Sequence, residues 1–375
     1  MMDSFQIKTL SAVHVGNGRF LQSKIEYAFG ALSIGVVDDV KILDLIGEDR
    51  VKLWVHSIEQ GISIASFLKP FVPGLKLDMI SSRKIEIKCD KDQAKNLATL
   101  KEQLSNGMGL PYIPGSSIKG AIRSAIFNQE IRNSDRPLIE NDLYDFGRLK
   151  ASVLEKKLFG RDPNHDVFRF LQIGDAYFEA NSTVAINMVN LNIVQKGAIF
   201  DSSKNQLIEA IGEGKQAVFS MKLNHTGMES NLKTLSINQF PDSFSSIDML
   251  FKTININTVS LINEDIEFWK DFEPEDSVKD YIQHLEVILA EVNSCSENEC
   301  VLRLGHGSGY SFISGNLVNQ SNIISDADYE AIVNTARPGN AKKYNEFPFP
   351  KTRRIDENID LLGFVKITPN SIPTA

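Results

Sequence analysis

Apolar residues recur at the helical period after the turn Pro114-Gly115. Ile118, Ala121, Ile122, Ala125 and Ile126 fall at i, i+3, i+4, i+7 and i+8. Pro114-Gly115 interrupts whatever precedes it, and the hydroxyl of Ser116 or Ser117 can cap the first turn. The spacing predicts a helix starting at Ser116 with an aliphatic stripe against a core. Val278, Tyr281, Ile282, Leu285, Ile288, Leu289 and Val292 predict a second helix of about four turns. Val153, Leu154 and Leu158 mark a short one, and residues 58–68 another before Pro70 and Pro73. Strands are expected at residues 5–15, 170–178, 184–193, 217–223 and 361–367, with a hairpin over 75–90. Gly16-Asn17-Gly18-Arg19 reads as a tight turn, and residues 20–60 as short strands and a small helix.

A strand, a helix and further strands make the pattern of a ferredoxin-like or RRM-like sheet, so the expected class is α+β. Residues 128–148 are polar without a period and read as an insertion or mobile loop. Residues 225–246 are polar and can bridge two halves. The expected division is therefore 1–230 and 231–375.

Composition narrows the function classes. A hydrophobic share of 42% allows real cores, and a net charge of −8 argues against wholesale attraction to nucleic acid or membrane. A polyanion site would have to be local. Cys89, Cys295 and Cys300 leave one thiol unpaired in any disulfide scheme, which points to a reducing compartment. The start has no signal-peptide pattern and no apolar run reaches 18 residues. The cytoplasm is the expected location, with no membrane partner.

Candidate chemistry sits at four places. Lys119 and Arg123 are four apart beside the aliphatic stripe, next to the free N–H groups of a helix start, which suits a phosphate. An ordinary capped amphipathic helix with two solvated cations fits the same spacing. Gly305-His306-Gly307-Ser308-Gly309 places glycines at alternate positions, so the backbone can approach a ligand and form an anion nest. It matches neither a Walker A motif nor the dinucleotide fingerprint, and a flexible hairpin loop is the alternative. His14, beside Gly16 and Gly18, can act as a general base, contact a nucleotide or fill a rim position, and His306 has the same choices. Residues 337–354 hold six cations against the single Glu346, interleaved with Tyr344, Phe347 and Phe349. Cations and rings together suit a single strand, and a solvated basic loop is the alternative. His165 lacks metal-ligand spacing and Cys295-x4-Cys300 lacks a second pair, so neither a metal nor a cofactor is expected.

Taken together, these motifs resemble the RAMP superfamily of CRISPR-associated proteins. The resemblance is carried by His14-Val15-Gly16-Asn17-Gly18 and by Ile113-Pro114-Gly115-Ser116-Ser117-Ile118-Lys119-Gly120-Ala121-Ile122-Arg123. Residues 170–176, the glycine-rich 303–310 segment and Pro350-Lys351-Thr352-Arg353 complete the order. Within the superfamily the chain is similar to the subunit-five family of type III-A (Csm) effector complexes, over nearly its whole length. The resemblance implies two RRM-like (ferredoxin-like) RAMP domains with insertions. It also implies a guide-RNA-binding subunit that caps the 3′ end of the crRNA and supports its maturation in antiviral defence. Implied partners are the guide RNA, the other Csm subunits, notably the backbone RAMP subunit and the small subunit, and host nucleases. The expected RNA-binding residues are His14, Gly16, Gly18, Arg19, Ser116, Ser117, Lys119, Arg123, Arg303, Gly305, His306, Gly307, Lys351, Arg353 and Arg354. Backbone subunits cut target RNA with a loop aspartate that has no counterpart placed here, so no catalytic residue is expected. Two competing expectations are a RAMP-fold endoribonuclease that cleaves precursor guide RNA with His14 as general base, and a type III subunit gripping the 5′ tag.

Overall fold

The computed structural model describes residues 3–133, 144–145, 148–149, 151–192, 204–235, 240–271, 275–313, 325, 327 and 350–370. The first strand, Asp3–Thr9, buries Phe5, Ile7 and Thr9 at every second position, as a strand covered on one face requires. It lies between Gln216–Leu223 and the last strand, Phe364–Pro369, and is antiparallel to both. Leu171–Ile173 extends one edge of this five-stranded sheet and Cys300–Arg303 the other.

Two helices cover one face. Ile118, Ile122 and Ile126 of Gly115–Arg132 and Leu250, Phe251 and Ile254 of Ile247–Lys270 share a core with Phe5, Ile7, Phe219 and Met221. Asp3–Thr9, Gly115–Arg132, Leu171–Ile173, Gln216–Leu223, Ile247–Lys270 and Phe364–Pro369 follow one another as βαββαβ, the ferredoxin-like order, with Cys300–Arg303 added at the edge. The class is α+β, as the sequence pattern indicates. A second core lies behind the sheet, where Trp269, Tyr281 and Leu285 meet Leu191, Ile355 and Phe364.

The second sheet is mixed. Its order is Gly16–Gln22, Thr99–Gln103, Gln206–Ile211, Thr183–Asn192, Ser81–Ile87, Ser33–Val37 and Tyr27–Phe29. Thr352–Asp356 pairs with the distal half of Thr183–Asn192. Cys300–Arg303 and Phe364–Pro369 join the first sheet and Thr352–Asp356 the second, so a division at 230/231 runs through both sheets.

Several local expectations are corrected. Residues 16–19 are strand, bulged between Gly16 and Phe20, because Thr99–Gln103 supplies a pairing partner. Residues 75–90 hold one strand, Ser81–Ile87, and its partners are Ser33–Val37 and Thr183–Asn192. Residues 170–178 split between two sheets, as Leu171–Ile173 and Ala176–Tyr177. The 58–68 helix breaks at Gly61, φ +65°, into Val51–Glu59 and Ile64–Leu68. The 225–246 stretch contains the helix His225–Leu235 and a fully buried Phe244. Helix Gly115–Arg132 reaches into the 128–148 stretch, and residues 134–143 lie outside the described residues. The long helix Ile247–Lys270 escapes the periodicity because Asn257, Thr258 and Asp265 occupy buried positions. Their half-buried neighbour Asn255 is polar for a structural reason too. Its amide donates to Glu299 O at 2.9 Å and accepts from Val301 N at 3.0 Å, as a paired strand would.

Candidate nucleic-acid interface

Beyond the first strand the chain runs between the two sheets. Val13 exchanges backbone hydrogen bonds with Ile211 at 2.9 and 2.8 Å, and His14 O accepts from His306 N at 2.8 Å. These bonds bring the end of the first strand against the glycine loop. His14 is buried at 3% exposure, and its Nδ1 donates to Glu209 O at 2.5 Å. A carbonyl can only accept, so Nδ1 carries the proton and Nε2 keeps the lone pair. A Cβ at residue 16 would stand 2.9 Å from that Nε2, which is why Gly16 follows. The His306 ring meets the His14 ring edge-on, centroids 5.8 Å apart.

Lys101, on the neighbouring strand, completes the surface. Its ammonium donates to His306 Nε2 at 3.2 Å and lies 5.7 Å from the centre of the Phe20 ring. The side-chain amide of Gln206 is 3.3 Å from the same His306 nitrogen. Burial pulls the His306 imidazole down to about 4, helped by Lys101, His14 and Arg354. Burial and Lys101 also lower His14. Both rings are therefore neutral at neutral pH, and the local charge comes from the cations. Burial and then Arg354 lower Lys101, so two like charges share this face. Two nearby carboxylates pair with Arg83, and Glu102 also lines the cavity beside this surface. Glu102 accepts from Arg83 at 2.8 Å and Asn17 at 2.7 Å, and Glu209 accepts from Arg83 and from Gln103 N. A cavity of about 270 Å³ opens here between His14, Gly18, Arg19, Phe20 and His306.

A family model, the RAMP superfamily, matches residues 6–312. The chain belongs to the RAMP superfamily. It is 27% identical over 305 residues to the CRISPR system Cms protein Csm5 of Methanocaldococcus jannaschii, covering 75% of this chain and 68% of that one. Its fold is similar to a chain in the cryo-EM structure of a Csm–crRNA–target RNA ternary complex of a type III-A CRISPR-Cas system. The TM-score is 0.70 at 20% identity, covering 98% of this chain and 100% of that one. The crystal structure of T. onnurineus Csm5 gives a TM-score of 0.63 at 18% identity, covering 96% and 99%.

In this RAMP fold the expected site residues separate. His14, Gly16, Gly18, Arg19 and His306 converge on the cavity. Arg354 joins them electrostatically and donates to Lys204 O at 3.4 Å. Arg19 is exposed but bonded to Glu26 at 2.6 Å. Gly305 and Gly307 have φ of +83° and +101°, and a Cβ there would meet His14 O at 2.6 Å and Leu362 at 3.0 Å. These glycines let the loop seat on its own fold. The expected nest is correspondingly reduced, because His306 N and Ser308 N both donate to chain carbonyls.

The remaining cations point elsewhere. Arg303 is buried, donates to Leu362 O at 2.9 Å and lies over Phe312 and Phe364. Arg353 is buried and bonds Asp265 at 2.7 Å beside Phe268. Strand alternation turns it inward and its neighbour Arg354 outward. Lys351 is half-buried just before that strand, and the cations and rings of 337–349 lie outside the described residues. Arg123 bonds Glu155 at 3.2 Å and Asp166 at 2.7 Å, and lies over Phe159 and Phe168. Lys119 is half-buried within the field of Asp166 and Arg123. Neither Ser116 nor Ser117 caps the helix. Pro114 is the cap residue, and Asp175 accepts from Gly115 N at 2.8 Å. That helix start already holds a carboxylate. Gln103 links it to His14, accepting from Val15 N at 3.0 Å and donating to Tyr112 O at 3.2 Å.

Lys101, Phe20 and Gln206 are the residues sequence reasoning misses. Only long-range strand pairing brings them to His306, and nothing local in Thr99-Leu100-Lys101 announces it. Among the described residues no group of His, Cys, Asp and Glu could hold a metal ion, and no helix is long and apolar enough to cross a membrane.

Proposed function

We propose that this chain is a non-catalytic, guide-RNA-binding subunit of a type III-A CRISPR effector complex. It caps the 3′ end of the crRNA and supports its maturation in antiviral defence. The similarity to Csm5 supports the place in the complex. The neighbouring structure, a complex with crRNA and target RNA, supports the choice of ligand. The observation that carries the reading is the patch around His306. In a chain of net charge −8, Lys101 contacts a neutral imidazole that also feels Arg354, while Glu102 and Glu209 are paired with Arg83. A local positive field of this kind favours a phosphate backbone. Backbone and small Csm subunits would adjoin it, with host nucleases recruited to trim the guide.

The burial of His14 favours binding over cleavage. A general base must come within hydrogen-bonding reach of the hydroxyl it deprotonates, and His14 is only 3% exposed. Repeat RNA incubated with the protein without divalent metal should stay intact. Specific cleavage lost in His14→Ala would establish the endoribonuclease instead.

Lys101→Ala with Arg354→Ala tests the main reading. Complexes purified from cells should carry depleted or shortened guides, because exposed 3′ ends are trimmed. For the isolated chain, the log–log salt slope of single-strand binding should fall by about 1.4, at about 0.7 per phosphate contact. Guides of normal length together with an unchanged slope would overturn it.

A further inference from the structure

Phe20 touches Lys101 yet leaves much of its surface to solvent. Its ring is 49% exposed on the edge strand Gly16–Gln22, in register with Lys101. Phe20 and Lys101 together separate two cavities. One is the 270 Å³ space beside His14 and His306. The other, of about 350 Å³, is walled by Leu97, Ala98 and Leu207 and carries the amides of Asn205 and Gln206. That size is at the lower end of the range for small-ligand pockets.

An exposed flat ring, a cation at its face and side-chain amides along the cavity wall match the three parts of a nucleotide. A base offers a π-face and a polar edge, and its phosphate offers a charge. We propose that Phe20 stacks one unpaired nucleobase of the bound strand, seated beside Leu97 and Leu207 with its polar edge toward Asn205 and Gln206. Its phosphate faces Lys101. This subsite rests on the RNA-binding reading above and adds a base contact to what is otherwise backbone attraction.

The test uses the full chain and short oligouridylates, each carrying one 2-aminopurine at a different position. Binding should quench the fluorescence at one position, as stacking on an aromatic ring does. Phe20→Ala should abolish that quenching and weaken binding roughly tenfold, with the salt slope unchanged. Phe20→Trp should restore both. An abasic nucleotide at the quenched position should bind wild type and Phe20→Ala equally. The proposal is overturned alone if Phe20→Ala binds and quenches as wild type while Lys101→Ala binds more weakly. It is also overturned if Phe20→Ala leaves oligonucleotide binding intact but blocks assembly of the complex, since the ring would then contact a protein. If the wild-type chain binds no oligonucleotide, the RNA-binding reading falls with it.

Discussion

The start of the Gly115–Arg132 helix and the surface around His306 both combine cations, glycine and backbone N–H groups, and they use them in opposite ways. At the helix start Arg123 and the first backbone N–H both have internal answers. Asp175 takes the N–H of Gly115, and Glu155 and Asp166 take Arg123 between two phenylalanine rings. Around His306, Glu102 and Glu209 pair with Arg83 and Glu26 with Arg19, and Lys101 is left facing a neutral imidazole and Arg354. The sequence motif of the helix therefore builds structure, and the less conspicuous strand residue Lys101 supplies the charge an outside ligand can meet. A cation becomes a ligand contact only where the fold withholds a carboxylate from it.

Breaking a fully internal cation should have the largest effect. Arg353→Ala strands Asp265 in the core beside Tyr281 and should cost about 3–5 kcal/mol of folding stability by denaturant titration. A loss under about 1 kcal/mol would show that burial does not separate the two kinds of cation. Next comes Arg123→Ala, which leaves two carboxylates facing a vacated space. It should cost about 1–3 kcal/mol while the folded protein binds single-stranded RNA as tightly as wild type. Preserved stability with lost RNA binding would reverse the comparison and return the helix to the binding role read from its spacing.

The smallest effect sharpens the other side. The folded-state value of His306 is about 4, below its ordinary 6.5. The unfolded chain therefore takes up the proton first as pH falls, so the stability tied to His306 is complete above about 6.5 and declines down to about 4. His306→Gln should flatten the stability–pH curve in that window relative to wild type. The comparison between the two proteins matters because Asp356, raised to about 6, acts in the opposite direction over part of the range. Parallel curves would mean that His306 is not held neutral by its neighbours.

Much of the scaffold was legible from local pattern. The stripe of Ile118, Ile122 and Ile126 and the Asp276–Asn293 helix follow from period alone, because a helix face or a strand face is decided by residues a few positions apart. The α+β class was likewise readable, through strand alternation and the order of elements, whereas the contact of His14 with the glycine loop appears only in the fold. Three further things required the tertiary structure. Residues 16–19 became strand only because Thr99–Gln103 lies alongside, since pairing partners are distant in sequence. The long helix Ile247–Lys270 hides its period because Thr258 and Asp265 are buried for bonds to Val301 and Arg353. Adjacent Arg353 and Arg354 look equivalent as sequence, yet one is a core ion pair and the other faces the His306 surface. Sequence establishes which residues carry charge. Only the packed structure decides which of those charges are neutralised inside and which remain for a partner, because that depends on the desolvation and pairing of groups far apart in the chain.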